Sequence, residues 1–371
     1  MPRILIAFAS ARTASISVAG IPAVARAVRE AWHAVELTGK SVEILLVLPE
    51  GRLSDSLSKA EIARLAPGLR YSVTSAGRLT PLDGDIFIAG ELLMSADRIE
   101  ACLSPDPEVV PIEGVGSNAR IVESFHGREG EAKLLQKLNR SSKQILHDTI
   151  KQTDGIVSRY INRPISIRIS GILLRVEWIR PDHATGFALL VALVMFACLV
   201  SGSYTGLIAG ACLFQAASVI DGVDGEIARA TLRTSARGAT LDSLTDALTN
   251  LGFLIGLGIS LAQQGDDKAL ALGLSGFICF GVGLAVLGSH AVATGRSLNF
   301  DGAKHILRRH QSAFTDWLVW LTMRDFLALA AAVMIILGMG KVFIFLFAFG
   351  SFFWLIAAVA LIIHDSRRKV P

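Results

Sequence analysis

Cysteine is scarce in this chain, and the four present, Cys102, Cys198, Cys212 and Cys279, are scattered. That spacing excludes a paired-thiolate metal site or a disulfide framework and predicts small buried hydrophobes in a reducing compartment. His183, His290, His305, His310 and His364 also lack metal-ligand spacing and read as surface or interfacial residues. No cleavable signal is visible, because Met1 to Ala9 has one basic residue and a short apolar run, Ile4–Ala9, that suits a buried strand. Charge is sparse as well: 18% of the 371 residues are charged, 52% are hydrophobic, and the mean hydropathy is +0.52. An ordinary soluble protein of this length is thereby excluded.

Most of the apolar excess lies after residue 185. The expected fold is a soluble α/β domain with a mostly parallel sheet, followed by an all-α membrane domain. Residues 1–132 carry short apolar runs alternating with helical patterns, namely Ile4–Ala9, Ile21–Val35, Val42–Leu48 and Asp85–Ala89. Residues 133–182 are basic and amphipathic, with Lys133, Lys137, Arg140, Lys143, Lys151, Arg159, Arg163, Arg168 and Arg175 set against Ile156, Ile161, Ile165, Ile169 and Ile172. Such a stretch predicts helices lying in a membrane interface, broken at Pro164 and Pro181.

Residues 183–371 contain six apolar spans, about Gly186–Ser201, Thr205–Arg229, Ser235–Leu261, Lys268–Ala293, Arg324–Met339 and Val342–His364. Basic residues collect between spans two and three, between four and five, and after six, whereas the opposite loops carry little beyond Lys268 and Lys341. Both termini are therefore expected in the cytoplasm, at a cell inner membrane. The net charge of +4 arises beside these spans, which points to membrane lipid as the partner and not to nucleic acid.

Carboxylates punctuate the second and third spans. The run Asp221-Gly222-Val223-Asp224-Gly225-Glu226-Ile227-Ala228-Arg229 is followed by Gly238, Asp242 and Asp246. Acids beside a membrane-length segment are costly, so a polar cavity and a function are expected for them. Asp221 and Asp224 are three residues apart and Asp242 and Asp246 four apart, so each pair shares one helix face. Two facing helices would present four hard oxygen ligands to one point, which suits Mg²⁺ or Mn²⁺. An ion-coupled transporter also keeps carboxylates in its spans, but it predicts midplane charges and repeated halves. Here the acids cluster at one end and no repeat is evident.

The pattern Asp221-x2-Asp224-Gly225-x2-Ala228-Arg229-x8-Gly238-x3-Asp242-x3-Asp246 is similar to the signature of the CDP-alcohol phosphotransferase family at all eight positions. The resemblance extends loosely from about Asp154 to the C-terminus, and Pro181-Asp182 stands where the family usually has Pro-Asn. It implies a homodimeric membrane transferase of phospholipid or headgroup biosynthesis that uses a two-metal site. Asp221, Asp224 and Asp242 would be metal ligands, and Asp246 both a ligand and the general base. A CDP-linked donor would pass its substituted phosphate to an alcohol or phospho-alcohol acceptor, releasing CMP. Gly225, Ala228, Arg229 and Gly238 would form the nucleotide site. Arg233, Arg237, Arg308, Arg309 and Arg324, placed near the cytoplasmic mouth, would hold an anionic acceptor such as an inositol phosphate. Gly252-x3-Gly256 and Gly281-x-Gly283 suit either a dimer interface or packing within one subunit.

The segment Ile16 to Val24, after the first strand, resembles the opening of the nucleotidyltransferase-like fold. The layout as a whole resembles bifunctional inositol-phosphate cytidylyltransferase/di-inositol-phosphate phosphate synthases. The loop Ala9-Ser10-Ala11-Arg12-Thr13-Ala14 holds no glycine, and Gly90-Glu91 stands where that fold carries a metal-binding Asp after Gly. Without glycine the backbone does not closely approach a triphosphate, so a degenerate first domain is expected.

Overall fold

Residues 3–39, 41–103, 112–151, 154–293 and 323–368 are described by the computed structural model of the chain. It divides into two units, Met1–His147 and Asp148–Pro371.

In the first unit, the β-branched and leucine runs form β1 (Arg3–Ala7), β4 (Glu43–Val47), β5 (Tyr71–Thr74) and β6 (Ile86–Ala89), with β7 (Val115–Gly116) at one edge. The sheet order is β5-β4-β1-β6-β7. Every pairing is parallel except β6 with β7. Strands buried on both faces need cover on both. One face packs against α2 (Ala23–Thr38) through Val24, Val28 and Ala31. On the other face Val122, Phe125 and Leu134 meet Leu5, Leu45 and Phe87. Two short strands, β2 (Ser17–Val18) and β3 (Ile21–Pro22), form a small antiparallel pair, and helices α1 (Ala11–Ser15), α3 (Ser56–Leu65) and α4 (Ala96–Leu103) complete the layers.

The basic stretch from Lys133 begins inside α5 (Ala119–Asp148), which Gly130 interrupts with a φ of 67°. Leu134 and Leu138 of this helix are buried in the cores of the α/β unit, which gives residues 133 to 147 a packing role there. Arg3 binds Asp85 through a fork, Nε to Oδ1 at 2.8 Å and Nη2 to Oδ2 at 2.6 Å, which ties the start of β1 to the start of β6.

The second unit begins with a π-helical turn, Ser158–Asn162, that runs into α6 (Arg163–Leu173). Proline lacks an N–H and its ring crowds the carbonyl four residues back, so Pro164 is accommodated by the widened turn before it and no break results. Among the described residues, five helices are long and apolar enough to cross a membrane: α7 (Pro181–Val200), α8 (Tyr204–Ala230), α9 (Ala236–Gln263), and the stretches Asp267–Val286 of α10 (Asp267–Ala293) and Gly340–Ala360 of α12 (Gly340–Arg368). Between the last two lies α11 (Arg324–Ile336), 13 residues long, which is short of membrane length. The chain is an integral membrane protein.

Phe214 of α8 stacks on Phe253 of α9 with ring centroids 4.0 Å apart, at the centre of a core that includes Met195, Leu199, Leu257 and Phe343. A Cβ on Gly258 would stand 3.1 Å from the Ala269 carbonyl, and one on Gly273 would stand 3.0 Å from that of Leu254, so α9 and α10 touch backbone to backbone. Gly256 receives Leu199 and Gly283 receives Trp354, which places both glycines in packing within one subunit. Cys212 is exposed, contrary to the expectation of burial, because it lies on an outward face of α8.

Candidate active site

Two serine caps set the geometry. Ser203 accepts from the Gly206 N–H to start α8, and Ser235 accepts from the Gly238 N–H at 3.0 Å to start α9. The turn between them is short and holds Leu232 at a φ of 53°, a left-handed conformation that a branched side chain rarely adopts. The C-terminal part of α8 and the first turns of α9 thus face the same end of the unit.

Carboxylate oxygens of Asp221, Asp242 and Asp246 lie within 4.8 Å of one another, and all three residues are half-buried. Asp224 is not in this cluster. It accepts from the Thr185 hydroxyl of α7 at 2.6 Å. The expected four-acid convergence is therefore three acids plus one turned to a neighbouring helix. The Arg324 guanidinium, at the start of α11, contacts Asp246 and lies 3.0 Å from Asp221. A cationic group thus already sits where the acids converge, and an all-carboxylate donor set fits a hard divalent ion. The triad is consistent with a metal site.

Among the expected nucleotide residues, Gly225, Ala228 and Arg229 share α8 and Gly238 lies on α9. Gly225 has a local reason to lack a side chain, since a Cβ there would be 2.8 Å from Nη1 of Arg229. Arg229 also donates through Nε to the Thr149 carbonyl at 2.9 Å. Arg233 is half-buried in the turn after α8, and Arg237 is exposed. Arg308 and Arg309 lie outside the described residues, as do His305 and His310.

The sequence did not single out Glu226 or Thr185. Glu226 has no exposed surface. Its Oε1 accepts from Arg163 Nη1 at 2.9 Å and from the Ser166 hydroxyl at 2.6 Å, while Oε2 accepts from Ser170 at 2.6 Å. Arg163 was expected on an interfacial basic face. It is buried instead, because Asp154 and Glu226 both pair with it. The signal available was the acid itself, a Glu inside an apolar span that needs a partner.

In the α/β unit, sheet order reverses between β1 and β6, the place where such sheets take ligands. Here Glu91 fills the crevice. Its Oε1 accepts from the Ala9 N–H at 2.8 Å and the Thr13 hydroxyl at 2.7 Å, and Oε2 lies 3.0 Å from Nε2 of His126. The Phe8 ring occupies the space beside Gly90. Burial opposes ionisation of Glu91, but the bonds to His126, Ala9 and Thr13 outweigh it and hold the carboxyl below its usual range. Asp85 is held down likewise by Arg3. Depressed carboxyls stabilise the fold above their unfolded pKa values of about 4, and that contribution is lost as pH falls through the folded values. Glu91→Gln is expected to speed amide exchange in β1 and β6 by about tenfold at pH 7, with less difference from the unsubstituted chain below about pH 4. Hydrogen exchange read by mass spectrometry checks both results.

Residues 178–364 match the family described as CDP-alcohol phosphatidyltransferase. A bifunctional IPC transferase and DIPP synthase of Thermococcus kodakarensis is 37% identical over 177 residues, which is 47% of this chain and 37% of that protein. One of Rubrobacter xylanophilus is 36% identical over 192 residues, 49% of this chain and 39% of its own length. One of Archaeoglobus fulgidus is 30% identical over 152 residues, 40% and 30% of the two chains. The chain spans less than half the length of these curated relatives.

Proposed function

We infer, since the chain belongs to the CDP-alcohol phosphatidyltransferase family, that this membrane enzyme moves a substituted phosphate from a CDP-linked donor to an acceptor hydroxyl and releases CMP. The observation that carries this reading is the meeting of Asp221, Asp242 and Asp246 at one point between two membrane-length helices. Phosphoryl transfer needs positioning and neutralisation of charge on phosphate oxygens more than covalent help from the protein.

Asp221, Asp224, Asp242 and Asp246 would hold Mg²⁺ or Mn²⁺, which when bound clamps the diphosphate and stabilises the leaving phosphate. Asp246 takes the proton of the acceptor hydroxyl as its oxygen bonds to the donor's distal phosphorus, and the bond from that phosphorus to CMP breaks with its electrons going to CMP. Gly225, Ala228, Arg229 and Gly238 line the nucleotide. Arg324 belongs to the acceptor side with Arg233, Arg237, Arg308 and Arg309, and such a basic group suits a phosphorylated acceptor of the inositol phosphate class. The relatives' printed names, bifunctional IPC transferase and DIPP synthase, support the transferase part of this reading.

The membrane domain of this reading runs over 183–371 with six spans, α11 belonging to the fifth. The enzyme sits in the cell inner membrane with both termini cytoplasmic, works as a homodimer and binds no nucleic acid. The α/β domain, 1–132, is nucleotidyltransferase-like and inert, with Glu91 in place of a bound phosphate, and 133–182 links the two.

Purified protein is to be incubated with CDP-diacylglycerol, CDP-inositol or other CDP-alcohols against a panel of acceptors, following CMP, and separately with CTP and inositol phosphate, following pyrophosphate. CMP release that requires a divalent cation, a CDP-linked donor and a hydroxyl acceptor is the expected result, with no pyrophosphate from CTP. Absence of CMP from every combination would overturn the reading.

A further inference from the structure

We infer that Arg163 and Glu226 are positioning residues for the acidic centre, and that the working unit of this enzyme starts near Asp154, ahead of the residues the family match covers. This rests on the phosphotransfer reading above.

The matched residues begin at 178, yet the stretch from Asp154 to Ser170 grips both sides of the centre. On one side it meets α8. Glu226 takes three donors from this stretch, Arg163 Nη1, Ser166 and Ser170, and is left with no exposed surface. Arg163 Nη1 also reaches the Gly222 carbonyl at 3.3 Å, the residue directly after Asp221. A Cβ on Gly222 would stand 2.8 Å from that nitrogen and 3.3 Å from the Ser166 hydroxyl oxygen, so the approach uses the missing side chain. One turn earlier, Asn162 donates to Ser218 at 3.2 Å and accepts from Gln215 at 2.8 Å. Residues 215, 218, 222 and 226 form one stripe of α8, and at about 100° per residue Asp221 lies roughly a quarter turn away from it and Asp224 nearly opposite.

On the other side the stretch meets the start of α11. Asp325 Oδ2 accepts from the Ser158 N–H at 2.6 Å, and Gly155 leaves room for the Met323 sulfur. Arg324, between those two residues, is the cation that contacts Asp221 and Asp246. One segment thereby fixes the rotation of α8 and the height of Arg324 together. Asp154 completes it by pairing with Arg163 Nε at 2.7 Å and Nη2 at 3.2 Å. Arg163 spreads its planar fork over two carboxylates and a carbonyl, and an ammonium has no equivalent geometry. Groups that hold metal-binding side chains in place change affinity or rate by about 10- to 100-fold when removed.

The full chain in detergent is to be compared with Arg163→Met, Arg163→Lys, Glu226→Gln and the double variant Arg163→Met/Glu226→Gln. Three quantities are read: kcat and donor KM for CMP release, and Mn²⁺ affinity by electron paramagnetic resonance. Arg163→Met and Arg163→Lys are expected to lower kcat about 10- to 100-fold and weaken Mn²⁺ about tenfold, with donor KM within about twofold. The double variant should recover part of what Arg163→Met loses, because Glu226, which has no exposed surface, then carries no charge and Asp154 is the one carboxylate left without the arginine. Ser166→Ala/Ser170→Ala, which keeps both charges, replaces Arg163→Met should the latter not elute as folded protein. Folded Arg163 variants with kcat and Mn²⁺ affinity both within twofold of the parent overturn the proposal. If the parent releases no CMP from any donor, the reaction reading fails, and the Mn²⁺ titration alone then decides whether Arg163 positions the acids.

Discussion

Asp242→Asn is expected to lower CMP release by about 10³-fold while the yield of folded protein stays the same. The size follows from the geometry. Asp242 is one of three acids whose oxygens lie within 4.8 Å of one another, and the amide keeps its shape while giving up the charge that a hard cation needs. Removing a single electrostatic contact to a transferring group typically costs about 10² to 10³ in rate. Little stability is lost, because the substitution relieves repulsion from Asp221 and Asp246 and breaks no ion pair the structure shows for Asp242. Steady-state CMP release in detergent, run beside gel filtration, checks both halves. Turnover within tenfold of the parent would remove Asp242 from the chemistry.

Arg324→Met should act differently. Arg324 contacts Asp246 and Asp221 from the start of α11, and the acceptor-side role proposed for it predicts a rise of about 10- to 100-fold in KM for a phosphorylated acceptor, the equivalent of one lost charged hydrogen bond. Donor KM should move far less. Without divalent cation the variant should also melt at lower temperature than the parent, since the acids then lack their counter-charge, and added Mg²⁺ should close most of that gap. An unchanged acceptor KM together with an unchanged metal-free melting temperature would leave Arg324 without either role.

Much of this arrangement was legible from spacing. Asp221, Asp224, Asp242 and Asp246 declare themselves because acids in apolar spans are rare, and the strands β1, β4 and β6 follow from short β-branched and leucine runs. What escaped was contact between residues far apart in the chain. Glu226 and Arg163 are 63 residues apart, and each has a local disguise: Arg163 sits among basic neighbours that suggest an interface, and Glu226 sits inside a motif whose other acids draw attention. Glu91 and His126 are 35 residues apart, and only the reversal of strand order brings them together. The turning of Asp224 toward Thr185 was not legible either, since a three-residue spacing fixes a shared face but not which neighbour that face meets.

The distance along the chain between Asp246 and Arg324, 78 residues, bears on how the protein is made. A ribosome releasing the chain from its N-terminus delivers α8 and α9 to the bilayer well before α11 exists. For that interval the newborn hairpin carries three crowded negative groups with no arginine to quiet them. Until α11 arrives, water, soluble cations and charges earlier in the chain are left to offset those acids, so Arg324 is the last piece added to a cluster whose carboxylates are already in the bilayer.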